Sequence, residues 1–131
     1  MTWALSEIAA LLGKDDNYVV TQAEDCLLIA NQDGIDAWLA ISGEQILVES
    51  LLFSVDEVQD TAAINEEILR THMLFPLTTI GISNAAGGQY YTAFGSLSAQ
   101  SKAESIVIEV ESLFQNVEAF LDAYQGFLKT A

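Results

Sequence analysis

Basic residues are nearly missing from this chain: four Lys and Arg stand against 19 Asp and Glu, for a formal net charge of −15. Lys14, Arg70, Lys102 and Lys129 are scattered, so no basic patch can be assembled from them. Nucleic acid and anionic membrane surfaces both bind through clustered cations, and the sequence counts against both as partners. Cysteine and histidine occur once each, as Cys26 and His72. A lone cysteine closes no internal disulfide, and no metal-ligand spacing accompanies it, so the expectation is a cytoplasmic protein with no cofactor and no metal. Apolar runs free of charge are also lacking. Glu44 and Glu49, then Glu109, Glu111, Glu118 and Asp122, interrupt every long stretch, so no bilayer span is expected despite a mean hydropathy of +0.31. The first residues have no basic run, and Glu7 interrupts their apolar stretch, which does not read as a signal peptide.

What is present is apolar content, 51% of 131 residues, enough for one ordinary domain, residues 1–131, with a core of its own. Leu5, Ile8 and Leu12 predict a helix over 3–12, with Thr2 as its cap and Gly13 as its stop. Four strands follow, YVVTQ, CLLIAN, IDAWLAIS and QILVESLLFSV, joined by connections so short that an antiparallel meander results. Ile35, Ala37, Leu39 and Ile41 alternate with Asp36, Trp38, Ala40 and Ser42, so one face is core and Trp38 lies on the other. Helical spacing returns over 56–75, with Asp60 as cap, Glu66 and Arg70 as an i,i+4 pair, and Pro76 as terminator. LTTIGIS and QYYTAFGSLS form a hairpin whose turn takes its positive-φ residues from Gly87 and Gly88. A capping box of Ser101 and Glu104 opens a final helix over roughly 102–129. The fold class is α+β, an antiparallel sheet packed with helices in the order α-β-β-β-β-α-β-β-α.

The final helix carries three rows. Ile106, Val110, Leu113, Val117, Phe120, Tyr124 and Phe127 make the apolar face. Glu104, Glu111, Glu118 and Asp122 make an acidic row without a cation, which is either a solvated face or a guide for a basic protein partner. Ser105, Ser112, Ala119, Ala123 and Gly126 make a row of small residues, which fits close packing on the sheet, a lightly packed solvent side or, through Ser112, Ala119 and Ala123, a homodimer contact.

No catalytic constellation emerges. Asp15 with Asp16, Asp33 with Asp36, and Asp56, Glu57 and Asp60 lack the alternating oxygen ligands of a calcium loop, and turn chemistry accounts for Asn31, Asp33, Gly34 and Asp36. His72 reads as a helix C-terminal or packing histidine. Cys26 opens a strand as a small hydrophobe, and nothing in the sequence links the two. Gly87 and Gly88 lead into a strand, not the helix a phosphate cradle requires.

The segments GEQILVESLL, INEEILRTHMLFPL, IGIS, YYTAFGSLSAQS and NVEAFLDAY resemble the YjfI-type family of small acidic bacterial cytosolic proteins over nearly the whole chain. The resemblance implies a type III secretion chaperone-like fold and a genomic neighbourhood shared with a PspA-like membrane-stress protein, and it supplies no catalytic residues. The expected function is therefore a non-enzymatic, protein-binding adaptor or chaperone-like module. The rival expectations are a small enzyme with a carboxylate site and an acidic mimic of nucleic acid that binds basic proteins.

Overall fold

The computed structural model describes residues 2–129. It contains α1 (Leu5–Leu12), β1 (Tyr18–Gln22), β2 (Leu27–Asn31), β3 (Asp36–Ser42), β4 (Gln45–Ser54), α2 (Thr61–Thr71), β5 (Thr79–Ala85), β6 (Gly88–Ser98) and α3 (Ala103–Tyr124), the expected order. Every strand pairing is antiparallel, and the six strands lie in the order β1-β2-β3-β4-β6-β5. The meander therefore runs unbroken from β1 to β4, and the β5–β6 hairpin adds its second strand to β4.

Strand alternation divides the sheet into unlike faces. Leu27, Ile29, Ala37, Leu39, Ile46, Val48, Tyr91 and Ala93 are buried and share one core with Ile8 and Leu12 of α1, Ile64 and Ile68 of α2, and Ile106, Val110, Leu113 and Phe120 of α3. The alternate residues Leu28, Trp38, Leu47, Leu51 and Phe94 are half-buried or exposed. Trp38 is where the alternation puts it. On the covered side, ring pairs fasten α3 down, Phe75 to Phe120 at 4.5 Å between centroids and Tyr18 to Phe114 at 5.4 Å.

Several helix ends differ from expectation, for reasons that are non-local. Trp3 donates its backbone N–H to Ala99 and its indole N–H to the Ser101 carbonyl, at 3.0 and 2.7 Å. Residues 2–4 are thereby held extended, so α1 starts at Leu5. Ala4 caps it instead of Thr2, with the Glu7 carboxylate accepting the Ala4 N–H. Ser101 forms no capping box with Glu104; Lys102 caps α3 without a side-chain bond. Gln59 donates to the Phe127 carbonyl and Lys129 to that of Glu57, around a Val58–Leu128 bridge. This small ladder shortens both helices: α2 begins only after the Asp60 cap, whose side chain accepts from Ala63, and α3 gives way to a 3₁₀ turn at Gln125–Phe127. Cys26 lies just ahead of β2, half-buried. In the hairpin turn the positive-φ residues are Ala86 and Gly87, not the two glycines.

Candidate functional site

The open side of the sheet gathers the exposed apolar surface. Trp38 on β3 stands across from Glu49 on β4, which stands across from Phe94 on β6, and both aromatic residues are 37% exposed. Two hollows share Trp38 and Leu51. The first, about 320 Å³, lies round the end of the sheet, from Gly34, Ile35 and Asp36 to Val117 and Leu121 of α3 on the covered side. Its floor is fixed by the buried Ser50 hydroxyl, which donates to the Asp36 carbonyl at 2.7 Å. The second, about 270 Å³, adds Glu49, Ala85 and Ala86, where the β5–β6 turn comes over the sheet. Together they make an apolar track whose bordering charges, Asp36 and Glu49, are both carboxylates.

The acidic row of α3 is exposed throughout, at Glu104, Glu111, Glu118 and Asp122. The fold joins it to other acids that the sequence leaves far apart. Asp33, in the β2–β3 turn, lies within hydrogen-bonding reach of Glu118 and holds its carboxyl above the ordinary range, with repulsion between the two adding to the effect. Burial, then Glu111, then Asp15 push the Tyr18 phenol up to about 12. Leu121 lies between Glu118 and Asp122 in sequence and lines the first hollow, so the acidic row borders the apolar track. Of the small residues, Ser112 and Ala119 are half-buried, while Ser105, Ala123 and Gly126 are exposed.

The Asp33–Glu118 pair opens on a hollow of only about 100 Å³, beside Asn17, Asn31, Phe114 and Gln115. Glu118 is fully exposed, so water screens the pair. Asn31 shapes the turn as expected, its side-chain oxygen accepting the N–H groups of Asp33 and Ile35 at 3.0 and 2.9 Å. Among the described residues, no three His, Cys, Asp or Glu side chains gather to hold a metal ion. His72 sits at the C-terminal end of α2, where its Nε2 accepts the Ile80 N–H at 3.2 Å.

One buried acid escaped the sequence reading. Glu109 is 7% exposed, its Oε2 has no hydrogen-bond partner, and burial raises its pKa. It rests on Gly95 of β6, where even a Cβ would overlap the carboxylate. Its spacing from Ile106, Val110 and Leu113 was the available signal, since i+3 from Ile106 falls on the buried face.

The sequence of residues 2–128 matches the model of a family described as uncharacterized protein conserved in bacteria, DUF2170. The chain belongs to that family. Its relatives include the uncharacterized protein YjfI of Escherichia coli K12, 32% identical over 120 residues, 88% of this chain and 90% of the relative. The YjfI of E. coli O157:H7 matches equally. Among solved structures, YbjN from E. coli, a proposed transcription regulator, superposes with a TM-score of 0.70 at 16% identity over 99% of this chain and 98% of its own. A chain of the HopA1–SchA chaperone–effector complex gives 0.61 at 14% identity, with 88% of both chains covered. A chain of the ExsC–ExsE complex gives 0.58 at 12%, with 97% of both covered. At these identities the likeness is one of fold, and it bears out the expected chaperone-like architecture. No helix among the described residues is long and apolar enough to cross a membrane.

Proposed function

We propose that this DUF2170 protein is a non-enzymatic, chaperone-like module of the cytoplasm that binds a segment of another protein along the track shared by Trp38 and Leu51. The observation that carries the reading is that one sheet face carries the core while Trp38, Leu51 and Phe94 on the other lie half-buried or exposed. The fold likeness to a chain of a chaperone–effector complex supports it. Apolar contacts at Trp38, Leu51 and Leu121 would set residence time. The carboxylates Glu104, Glu111, Glu118 and Asp122 would speed the approach of a basic segment, since charges at the rim of an interface act chiefly on association rate. The family resemblance makes a PspA-like membrane-stress protein the first partner to try.

A second reading, a small enzyme, rests on the Asp33–Glu118 pair. Its exposure gives no water-shielded pocket in which a shifted carboxyl could do acid–base work, so binding comes first.

The test uses Trp3→Phe protein, in which Trp38 is the remaining indole, titrated with peptides that alternate apolar and basic residues. The expected result is a shift in Trp38 emission with an association rate that falls as salt rises and falls again when Glu111, Glu118 and Asp122 become Gln, Gln and Asn. An emission unmoved by these peptides, together with unchanged recovery of native partners by Trp38→Ala protein, overturns the reading.

A further inference from the structure

The 19 carboxylates leave one long gap: none occurs from Ile68 to Ala103, a stretch of 36 residues. In the fold that stretch is the C-terminal end of α2 with β5 and β6. β6 is enclosed between β4 and β5 and shows only its face, so the edge this stretch presents is the end of α2 with the outer side of β5.

That edge is unguarded. β5 carries no charged residue and no proline, two of the devices that keep an edge strand from pairing with another chain. Ala86 and Gly87, at φ 50° and 80°, close a two-residue turn between Ala85 and Gly88, which makes that pair a hydrogen-bonded one. Alternation along the ladder then turns the N–H and C=O groups of Ile80, Ile82 and Asn84 away from β6. His72 takes the Ile80 N–H, as its outward direction requires. Among the described residues nothing receives the N–H of Ile82 or Asn84. Beside them Leu69 of α2, 78% exposed, and Ile82, 50% exposed, line a groove of about 340 Å³ over Ile68 and Tyr91.

We propose that this α2–β5 edge is where a second copy of the chain docks, with the two β5 strands pairing antiparallel. Charge selects the occupant. Two copies at −15 repel wherever carboxylates meet, and this is the surface built from the acid-free stretch. A two-fold axis at Ser83 sets Ile82 of one copy opposite Asn84 of the other, so the two open donors on each strand find acceptors, while Ile80, already served by His72, stays outside the paired segment. A protruding Leu69 next to an apolar groove is a knob and a hole on one surface, as a two-fold contact needs. The small-residue row of α3, by contrast, is interleaved with Glu111, Glu118 and Asp122, which a partner copy would have to approach.

Sedimentation equilibrium of the full chain tests this. The wild type is expected at about twice its monomer mass. Asn84→Pro removes only an outward N–H, and Leu69→Glu brings an unpaired carboxylate to the groove, where the neighbouring Glu66 is paired with Arg70, at an exposed position that the fold does not need. Each should raise the dissociation constant roughly tenfold or more, while Ala119→Arg on α3 leaves it unchanged. Far-UV circular dichroism checks that the variants stay folded. A wild type that remains monomeric at hundreds of micromolar overturns the proposal. So does a dimer indifferent to both edge variants, or one dissolved by Ala119→Arg alone.

Discussion

The two edges of the sheet are built to opposite rules. β1, five residues long, has Asp15 and Asp16 just before it and Glu24 and Asp25 just after it. β5, seven residues long, has no charge in it, and its flanking residues are Thr78 and Ala86. At the β1 end acids from distant segments converge, Asp15 and Glu111 around Tyr18 and Asp33 against Glu118. At the β5 end the exposed apolar side chains include Leu69, Met73, Leu74 and Ile82. The contrast teaches that the acidity of this chain is distributed by region. Carboxylates from several segments gather at the β1 end, and apolar side chains gather at the β5 end.

The largest expected effect separates the two ends by packing. Ile29 on β2 is fully buried, so Ile29→Ala should cost about 2–5 kcal/mol through lost transfer energy and the cavity left behind. Ile82→Ala on the open edge removes half-exposed surface and should cost under about 1 kcal/mol in dilute protein. Urea unfolding at low concentration measures both. A cost at Ile82 equal to that at Ile29 would break the comparison, because the β5 edge would then have to be covered within a single chain.

The next effect probes how α3 seats on the strand beside that edge. Gly95 on β6 leaves room for the Glu109 carboxylate, and a Cβ there would also stand 3.3 Å from the Leu77 carbonyl. Gly95→Ala should cost about 1–3 kcal/mol by overpacking. Glu109→Ala in the same chain should recover part of that loss, and a double-mutant cycle reads the coupling directly. Additive costs would mean that α3 shifts away and the contact is slack.

Glu109→Gln comes third and is read from its dependence on pH. Burial raises the pKa of Glu109, so the folded chain holds this proton more tightly than the unfolded chain does. Stability from this group is complete below the unfolded carboxylate range and is lost as pH rises through the raised native value. The glutamine variant should therefore match the wild type at acid pH and exceed it at neutral pH, in unfolding followed across that window. A variant less stable at neutral pH would mean that the ionised form finds a partner on folding.

Strand alternation in Asp36–Ser42 and the apolar spacing of Ile106, Val110, Leu113, Val117 and Phe120 were legible in the sequence, because each is a repeat of the backbone's own period. The helix ends were not. The start of α1 depends on Trp3 bonding to Ala99 and Ser101, about a hundred residues away, and α2 and α3 shorten each other through Glu57, Gln59, Phe127 and Lys129. The acidic row on α3 was visible as a row, yet its joining to Asp33 needs the β2–β3 turn to fold back toward the helix. The acid-free stretch could have been counted from residues alone. Only the strand order turns it into one edge of the sheet.

The smallest effect lies at the acidic end and tests whether those carboxylates act on one another or merely share a surface. Glu118 is raised first by its hydrogen bond to Asp33 and then by repulsion from it. A bond between two carboxyls needs one proton, so Glu118 holds its proton longer than it would alone as pH rises. Asp33→Asn removes the repulsion, since an amide brings no negative charge, and the amide can donate to the ionised Glu118 as well as accept from the protonated one, so the bond no longer favours the proton. The Glu118 midpoint, followed by carboxyl-carbon NMR, should therefore fall in that variant. Added salt should lower it in the wild type too, but less, because screening weakens the repulsion and leaves the hydrogen bond in place. With Glu118 fully exposed, the change in folding stability should be too small to register in the same unfolding assay. A midpoint that ignores the asparagine would mean that the β2–β3 turn does not hold Asp33 against α3, and the acidic end would then be several separate charges with no joint effect on an approaching basic segment.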